Sequence, residues 1–517
     1  MSGTAHLARL EEHLGKRKPE GAAALLEGRS RAQAFAALAR AFGEGLDLAA
    51  GARSEQQLTT VALAQVLDAI ALVDPVIGAA AEALCALAPA GVRPPHPAVR
   101  VCTSLHPDAA RAALAGTAAD STALFTPAGD LERAGLPGAG SRAWGLAFPQ
   151  GPREELPTVG EVRSVFAPEP LRIAALRGID TAPLLVRAAE ACEALLAAPP
   201  EENEALRLGA LLSGLAARGA WNVTLSVAPS LAPLGLWIET LAALSPAGRL
   251  QVAAGEPLAD PAAYGSDRLF VELRDLGSAS DPRVRRLNAA GLPTLLLAVP
   301  AEGWVEELVR WELALAFACG APWLEERGPG SAGDFEHEHE HEGAEPWLAE
   351  PALREGPLAI TCEPAHAHVL RKVAGTLGPK AATSVPHWLA AQLALQEPGD
   401  LASLHFTALP TRSLREALPG LQRALRDATR LASRAVFGLG TLGAGATTCA
   451  GGAAAGLYLL LSDVGPEVAG AGARRDEEQA LSRLVAEGRR ALLLRAEDGD
   501  SGKLVAALHQ AASLLKG

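Results

Sequence analysis

The chain has 517 residues, 49% of them hydrophobic and 20% charged, with a formal net charge of −13 at pH 7. Such a length holds about two to four domains with sizeable cores, and such acidity disfavours nucleic acid and anionic membranes, whose binding is largely electrostatic. No run of about eighteen apolar residues reads as a membrane span, and the opening MSGTAHLARLEEHLGKRK lacks the apolar centre of a signal peptide, so a cytoplasmic protein is expected. The six cysteines, at positions 85, 102, 192, 319, 362 and 449, stand singly, which predicts buried thiols rather than disulfides or a zinc site.

In chain order, residues 5 to 50 are mostly helix formers, and Ser54 to Leu67 continues as helix. The run VRVCTS predicts a strand ending at Cys102-Thr103-Ser104-Leu105-His106-Pro107-Asp108. NVTLSVA after Trp221 alternates as a strand does and stops at Pro-Ser-Leu-Ala-Pro. A helix follows, with Leu234, Trp237, Ile238 and Leu241 as one apolar stripe. RLFVELR is a strand and Asp281 to Ala290 a helix; Thr294 to Val299 is a strand without alternation, as in sheets covered on both faces. A helix from Gly303 to Cys319 completes a pattern that predicts a parallel, doubly wound α/β domain.

An acidic, Gly-rich stretch then alternates His337, His339 and His341 with glutamates. An extended chain places the three imidazoles on one side, a set able to hold zinc, nickel or copper; a solvated linker is the other reading. From Leu353 a third unit begins. GPLAITCE, LASLHFTAL, AAGLYLLLSD and RRALLLRAE read as strands, and residues 365 to 376, 386 to 396, 413 to 434, 476 to 488 and 503 to 515 as helices. Between them, Gly443 to Gly452 is a Gly/Ala loop of neither Walker nor dinucleotide spacing.

The blocks LGLWIETLAALSPAG, GEPLADPAAYGSDRLFVELRD and WELALAFA resemble, in order, the second sugar-isomerase (SIS) domain of phosphoglucose isomerases, in the form fused to transaldolase in bacteria. The resemblance extends over roughly residues 45 to 515 and implies α/β architecture: two doubly wound SIS-type parallel-sheet domains plus a C-terminal α/β domain. The implied division is 1–44 N-terminal helical segment, 45–165 first SIS-like domain, 166–330 second SIS-like domain, 331–352 His/Glu linker and 353–517 C-terminal domain. The family's reaction takes glucose 6-phosphate to fructose 6-phosphate through a cis-enediol, which needs a carboxylate base over the sugar.

Carried over residue by residue, the family's phosphate contacts fall on Gly51, Ser54, Thr103 and Ser104, where Pro107 removes an amide donor and Asp108 repels a phosphate. In the linker motif Val-Gly-Gly-Arg-Tyr-Ser, Gly160 and Ser164 match, Val162 stands at the Arg position, and Arg163 lies one place on. Leu244 occupies the position of the catalytic Glu, with Glu239 two helical steps off that face, and the family's Lys has no counterpart.

The resemblance thus implies an isomerase-like protein impaired by loss of base, Arg and Lys. Two alternatives stand beside it: an active isomerase recruiting Arg163, His106 or Glu239, and a metal-binding or scaffolding protein using His337, His339 and His341. No cofactor is called for. The partners expected are a sugar phosphate and a second copy of the chain as a homodimer, with no nucleic acid and no membrane.

Overall fold

The computed structural model describes residues 69–72, 75–87, 98–101, 122–125, 164–166, 168–216, 222–243, 250–265, 267–319, 346–348, 350–378, 381–397, 399–407, 411–437, 456–463 and 471–516. They form an α/β protein with three separate sheets. The first sheet joins β1 (Ala69–Leu72), β2 (Ala98–Val101) and β3 (Thr122–Phe125), all parallel, in the order β2-β1-β3. Helix α1 (Pro75–Leu87) leads from its central strand.

Three helices then precede the second sheet: α2 (Pro168–Leu176), α3 (Thr181–Ala197) and α4 (Glu204–Ala216). Asp180 caps α3, accepting from the Ala182 N–H at 3.1 Å, and Asn203 Oδ1 accepts from the Leu206 N–H at 2.9 Å at the start of α4. The second sheet is parallel, in the order β5-β4-β6-β7, from β4 (Asn222–Val227), β5 (Gln251–Ala254), β6 (Arg268–Asp275) and β7 (Thr294–Val299). Its helices are α5 (Ala232–Ala243), α6 (Pro282–Ala289) and α7 (Trp304–Cys319).

The core of this unit is shared with α1, whose Ala80, Ala81, Ala83 and Leu84 lie in one apolar cluster with Trp237 and Trp311. Each indole is fully buried and donates to a glutamate: Trp237 to Glu312 Oε1 at 2.8 Å, Trp311 to Glu307 Oε1 at 2.9 Å. Glu312 does more. It also accepts from the Val165 N–H at 2.8 Å and the Ser164 hydroxyl at 2.7 Å, pinning the chain that enters this unit to the middle of α7. Burial pushes its carboxyl up to about 7 against the pull of those three donors.

The third sheet is mixed, in the order β11-β10-β12-β13-β9-β8. Its parallel strands are β10 (Leu401–Phe406), β11 (Ala432–Phe437), β12 (Leu457–Ser462) and β13 (Arg490–Ala496), and β8 (Leu353–Glu355) and β9 (Leu358–Thr361) form an antiparallel hairpin at one edge. Gly356 takes a φ of 58° in the hairpin turn, where a side chain would be strained. Five helices belong here: α8 (Pro364–Thr376), α9 (Val385–Ala394), α10 (Arg412–Thr429), α11 (Ala471–Ala486) and α12 (Ser501–Lys516). One face of the sheet packs on α8, α9, α10 and α12 through residues such as Leu404, Phe406, Leu459 and Leu492; the other meets α11 through Leu460 and Leu493. Buried Asp400 ties the starts of three strands, accepting from the Gly456 N–H at 2.7 Å and from Arg490 Nη2 with both oxygens at 2.7 and 2.8 Å.

All three sheets share one winding. The chain places its second parallel strand on one side of the first and its third on the other, which makes a topological switch point in each.

Two sequence expectations are corrected. The helix expected over 413–434 ends at Thr429, and Ala432–Phe437 is the edge strand β11. Helical spacing ran on through Leu431, but Arg430 turns into the left-handed region at φ 62°, and Ser433, Ala435 and Phe437 then alternate with Ala432, Arg434 and Val436. Arg430 is the one non-glycine residue with positive φ among those described, so Arg430→Gly is expected to raise stability by about 0.5–1 kcal/mol in urea unfolding. The second correction concerns Thr294–Val299. Leu295, Leu297 and Val299 are buried while Thr294, Leu296 and Ala298 are half-buried, because β7 is the outer strand and one face lacks full cover.

Candidate functional site at the seam between the second and third sheets

Among the candidate catalytic, phosphate and metal residues read from the sequence, Glu239 is the one the structure describes; the linker-motif Ser164 is described as well, bonded to Glu312. Gly51, Ser54, Thr103, Ser104, His106, Arg163, Leu244 and the three histidines His337, His339 and His341 lie outside the described residues, as do residues 1–68 and 438–455. Among the described residues no group of three or more His, Cys, Asp or Glu is placed to hold a metal. Of the cysteines expected to be buried, Cys192 and Cys362 are so, whereas Cys85 is half-buried.

Glu239 sits on α5, whose apolar stripe of Leu234, Trp237, Ile238 and Leu241 is buried as its spacing predicts. Glu239 and Thr240 are buried as well, on the side of α5 that the spacing leaves polar. Glu239 is 8% exposed, one carboxyl oxygen accepts from the Ala254 backbone N–H, and Oε1 has no hydrogen-bond partner among the described residues. Burial raises its pKa to about 8, with the positive charge of Arg434 pulling the other way. At neutral pH the group is therefore a carboxylic acid.

Arg434 comes from β11, the edge strand of the third sheet. In register beside it stands Ser403 on β10, with Tyr458 next on β12. The guanidinium donates through Nη2 to Ser403 Oγ at 3.0 Å, and Ser403 Oγ lies 2.7 Å from His405 Nε2. The hydroxyl accepts from Arg434, and either it or the imidazole supplies the proton of the Ser403–His405 contact. Tyr458 stacks on that ring, centroids 6.2 Å apart.

A second buried group lies farther along the seam. Arg268 of β6 and Glu256, just past β5, form an ion pair at 2.6 Å with neither side chain exposed. Arg268 Nη1 also donates to Thr224 Oγ1 at 3.1 Å, and Nη2 to the carbonyl of Arg430 in the third unit at 3.2 Å. Arg426 of α10 answers by donating to the carbonyl of Pro257. Tyr264 is flanked by both guanidiniums, 5.1 Å from Arg268 and 5.5 Å from Arg426. Asn222 reaches the Asp400 carbonyl at 3.2 Å, and Ala253, Leu401 and Ala432 form an apolar patch in the same seam.

Chemically, the Ser403–His405 distance is that of a nucleophile and its base. The surroundings oppose that use: both are within a strand, 1% and 0% exposed, and Arg434 draws electron density from Oγ. Sequence reading missed Ser403, His405, Arg434, Arg268 and Glu256. Its available signal was polar residues at alternate positions of LASLHF, and an Arg opening RLFVELR, inside otherwise apolar strands.

The fold defines an α/β protein whose first two sheets are parallel and whose third is mixed. No family model and no curated protein matches the chain. A solved structure of a hypothetical protein from Thermus thermophilus is similar over 62% of this chain and 91% of that one, at 16% identity and a TM-score of 0.35. Among the described residues no helix is long and apolar enough to cross a membrane.

Proposed function

We propose that the chain is a sugar-phosphate-binding protein of the phosphoglucose-isomerase type that no longer isomerises. What supports the reading is the ordered sequence blocks, the doubly wound parallel sheets that such a protein requires, and above all the state of Glu239. With Leu244 at the family's base position, Glu239 is the carboxyl on this helix left to take a proton from C2 of the sugar. It is buried, and its pKa of about 8 keeps it protonated at neutral pH. A base must be both reachable and ionised. Loss of a general base alone lowers rate by about two to four powers of ten.

The test uses the purified full-length chain with glucose 6-phosphate and fructose 6-phosphate. No interconversion is expected, together with a saturable rise in Tm on adding fructose 6-phosphate or 6-phosphogluconate, since a ligand that binds only the folded form stabilises it. Turnover at an isomerase-like rate overturns the proposal. Loss of that turnover in Arg163→Ala would then assign it to substitute residues.

A further inference from the structure

Each unit at the seam grips the other's backbone with an arginine. Arg268 of the second unit donates through Nη2 to the carbonyl of Arg430 at 3.2 Å, and Arg426 of the third donates through Nη1 to the carbonyl of Pro257. The ring of Tyr264 lies 5.1 Å from the first guanidinium and 5.5 Å from the second, with its hydroxyl accepting from the Ala259 N–H at 2.7 Å. Arg430 is the left-handed residue that ends α10, so Arg268 brings its charge to the carbonyl end of that helix, where a cation is favoured. The apolar patch between the units is small. Ala253, Leu401 and Ala432 bury little surface, which leaves the crossed arginines, with Asn222 on the Asp400 carbonyl at 3.2 Å, as the main tie among the described residues. That tie is imperfect: Glu256 Oε1 and Arg268 Nε are buried with no hydrogen-bond partner among the described residues, and each such atom weakens closure.

We propose that residues 256–264 of the second unit and 426–432 of the third form a latch that opens and closes as one step, at a lower cost than global unfolding. The contacts run in a circuit. Arg426 holds Pro257, the neighbouring Glu256 holds Arg268 at 2.6 Å, Arg268 holds the Arg430 carbonyl, and the Arg430 N–H returns to the Arg426 carbonyl. Breaking any link leaves a buried charge or donor without its acceptor, which removes the reason for the next link to hold. A circuit of this kind opens whole. Local unfolding of such a unit lies below the global transition, and here it would part the outer strands β5 and β11 while leaving the central strands of both sheets paired. The latch is independent of the isomerase reading and would stand if that reading failed.

The experiment is amide hydrogen exchange of the full-length chain at neutral pH, wild type against Arg426→Gln and Arg268→Met. The amides to follow are those bonded within the latch: Ala259 and Tyr264 on one side, Arg430 and Leu431 on the other. In the wild type all four are expected to exchange sooner than amides of β6 and β12 and to report one opening constant. Arg426→Gln, a change in the third unit, is expected to speed exchange at Ala259 and Tyr264 of the second by about tenfold or more, and at Arg430 and Leu431 by the same factor. Arg268→Met should give the same paired effect from the other side; if it fails to fold, Arg426→Gln decides. A second reading comes from the sequence holding two tyrosines, Tyr264 and Tyr458, so that fluorotyrosine gives two fluorine NMR signals, assigned with Tyr264→Phe. In Arg426→Gln the Tyr264 signal should move toward the solvent position and the Tyr458 signal should stay. The proposal is overturned if Arg426→Gln speeds exchange on its own side only, or if β6 and β12 gain as much as the latch does.

Discussion

Raising the pH from about 5 to about 9 is expected to destabilise the wild-type protein by on the order of 4 kcal/mol more than it destabilises Glu239→Gln. The sign follows from where the proton sits. In the unfolded chain Glu239 titrates near its ordinary value of 4.5, whereas burial in the folded protein raises it to about 8. The folded state thus holds this proton more tightly. The contribution to stability is complete below the unfolded pKa and is lost as pH rises from there through the folded one. Glutamine keeps the size and neutrality of the acid and has no proton to lose. Glu312, raised to about 7, adds a slope of the same sign in both proteins, so the difference between them isolates Glu239. Urea unfolding at several pH values measures it, and parallel pH profiles would show that Glu239 is ionised in the fold.

Arg268→Met is expected to cost about 3–5 kcal/mol in the same assay, the largest loss from any single side chain of the seam. Glu256 would be left sealed in the interior without its counter-charge, and burial already pushes its carboxyl up against the pull of Arg268. The substitution also takes the donor from Thr224 and from the Arg430 carbonyl, and one of the two cations from Tyr264. Replacing both members, Glu256→Gln with Arg268→Met, is expected to recover much of the loss, because no buried charge is then left alone. A double variant as unstable as Arg268→Met would mean that packing, and not charge, sets the cost.

Local pattern carried much of the fold. NVTLSVA, RLFVELR, LASLHFTAL and RRALLLRAE are strands, and the helices at 281–290, 303–319 and 503–515 end within two residues of their expected limits. These elements have strong periodicity and clear stops, Asp281 for instance capping α6 by accepting from the Arg283 N–H at 2.8 Å. What failed lacked local marks. β5 is four residues of QVAA, and β11 is hidden behind a helix whose spacing continues past its end. The seam was harder still. Glu239 reads as the solvent side of an amphipathic helix because nothing near it in sequence announces that this side of α5 is buried too. Ser403, His405 and Arg434 meet only when two parallel strands are laid in register, which spacing along one chain does not disclose.

β5 and β11 are each the outermost strand of their sheet, and each is screened by the other through Ala253, Leu401 and Ala432. A fragment that stops before the third unit would bare the hydrogen-bonding rim of β5 and strand Glu256 and Arg268 at a fresh surface. Such a rim recruits whatever backbone it meets. Severed halves of this molecule should therefore be sticky where the intact chain is not, and mixing them should restore solubility to both.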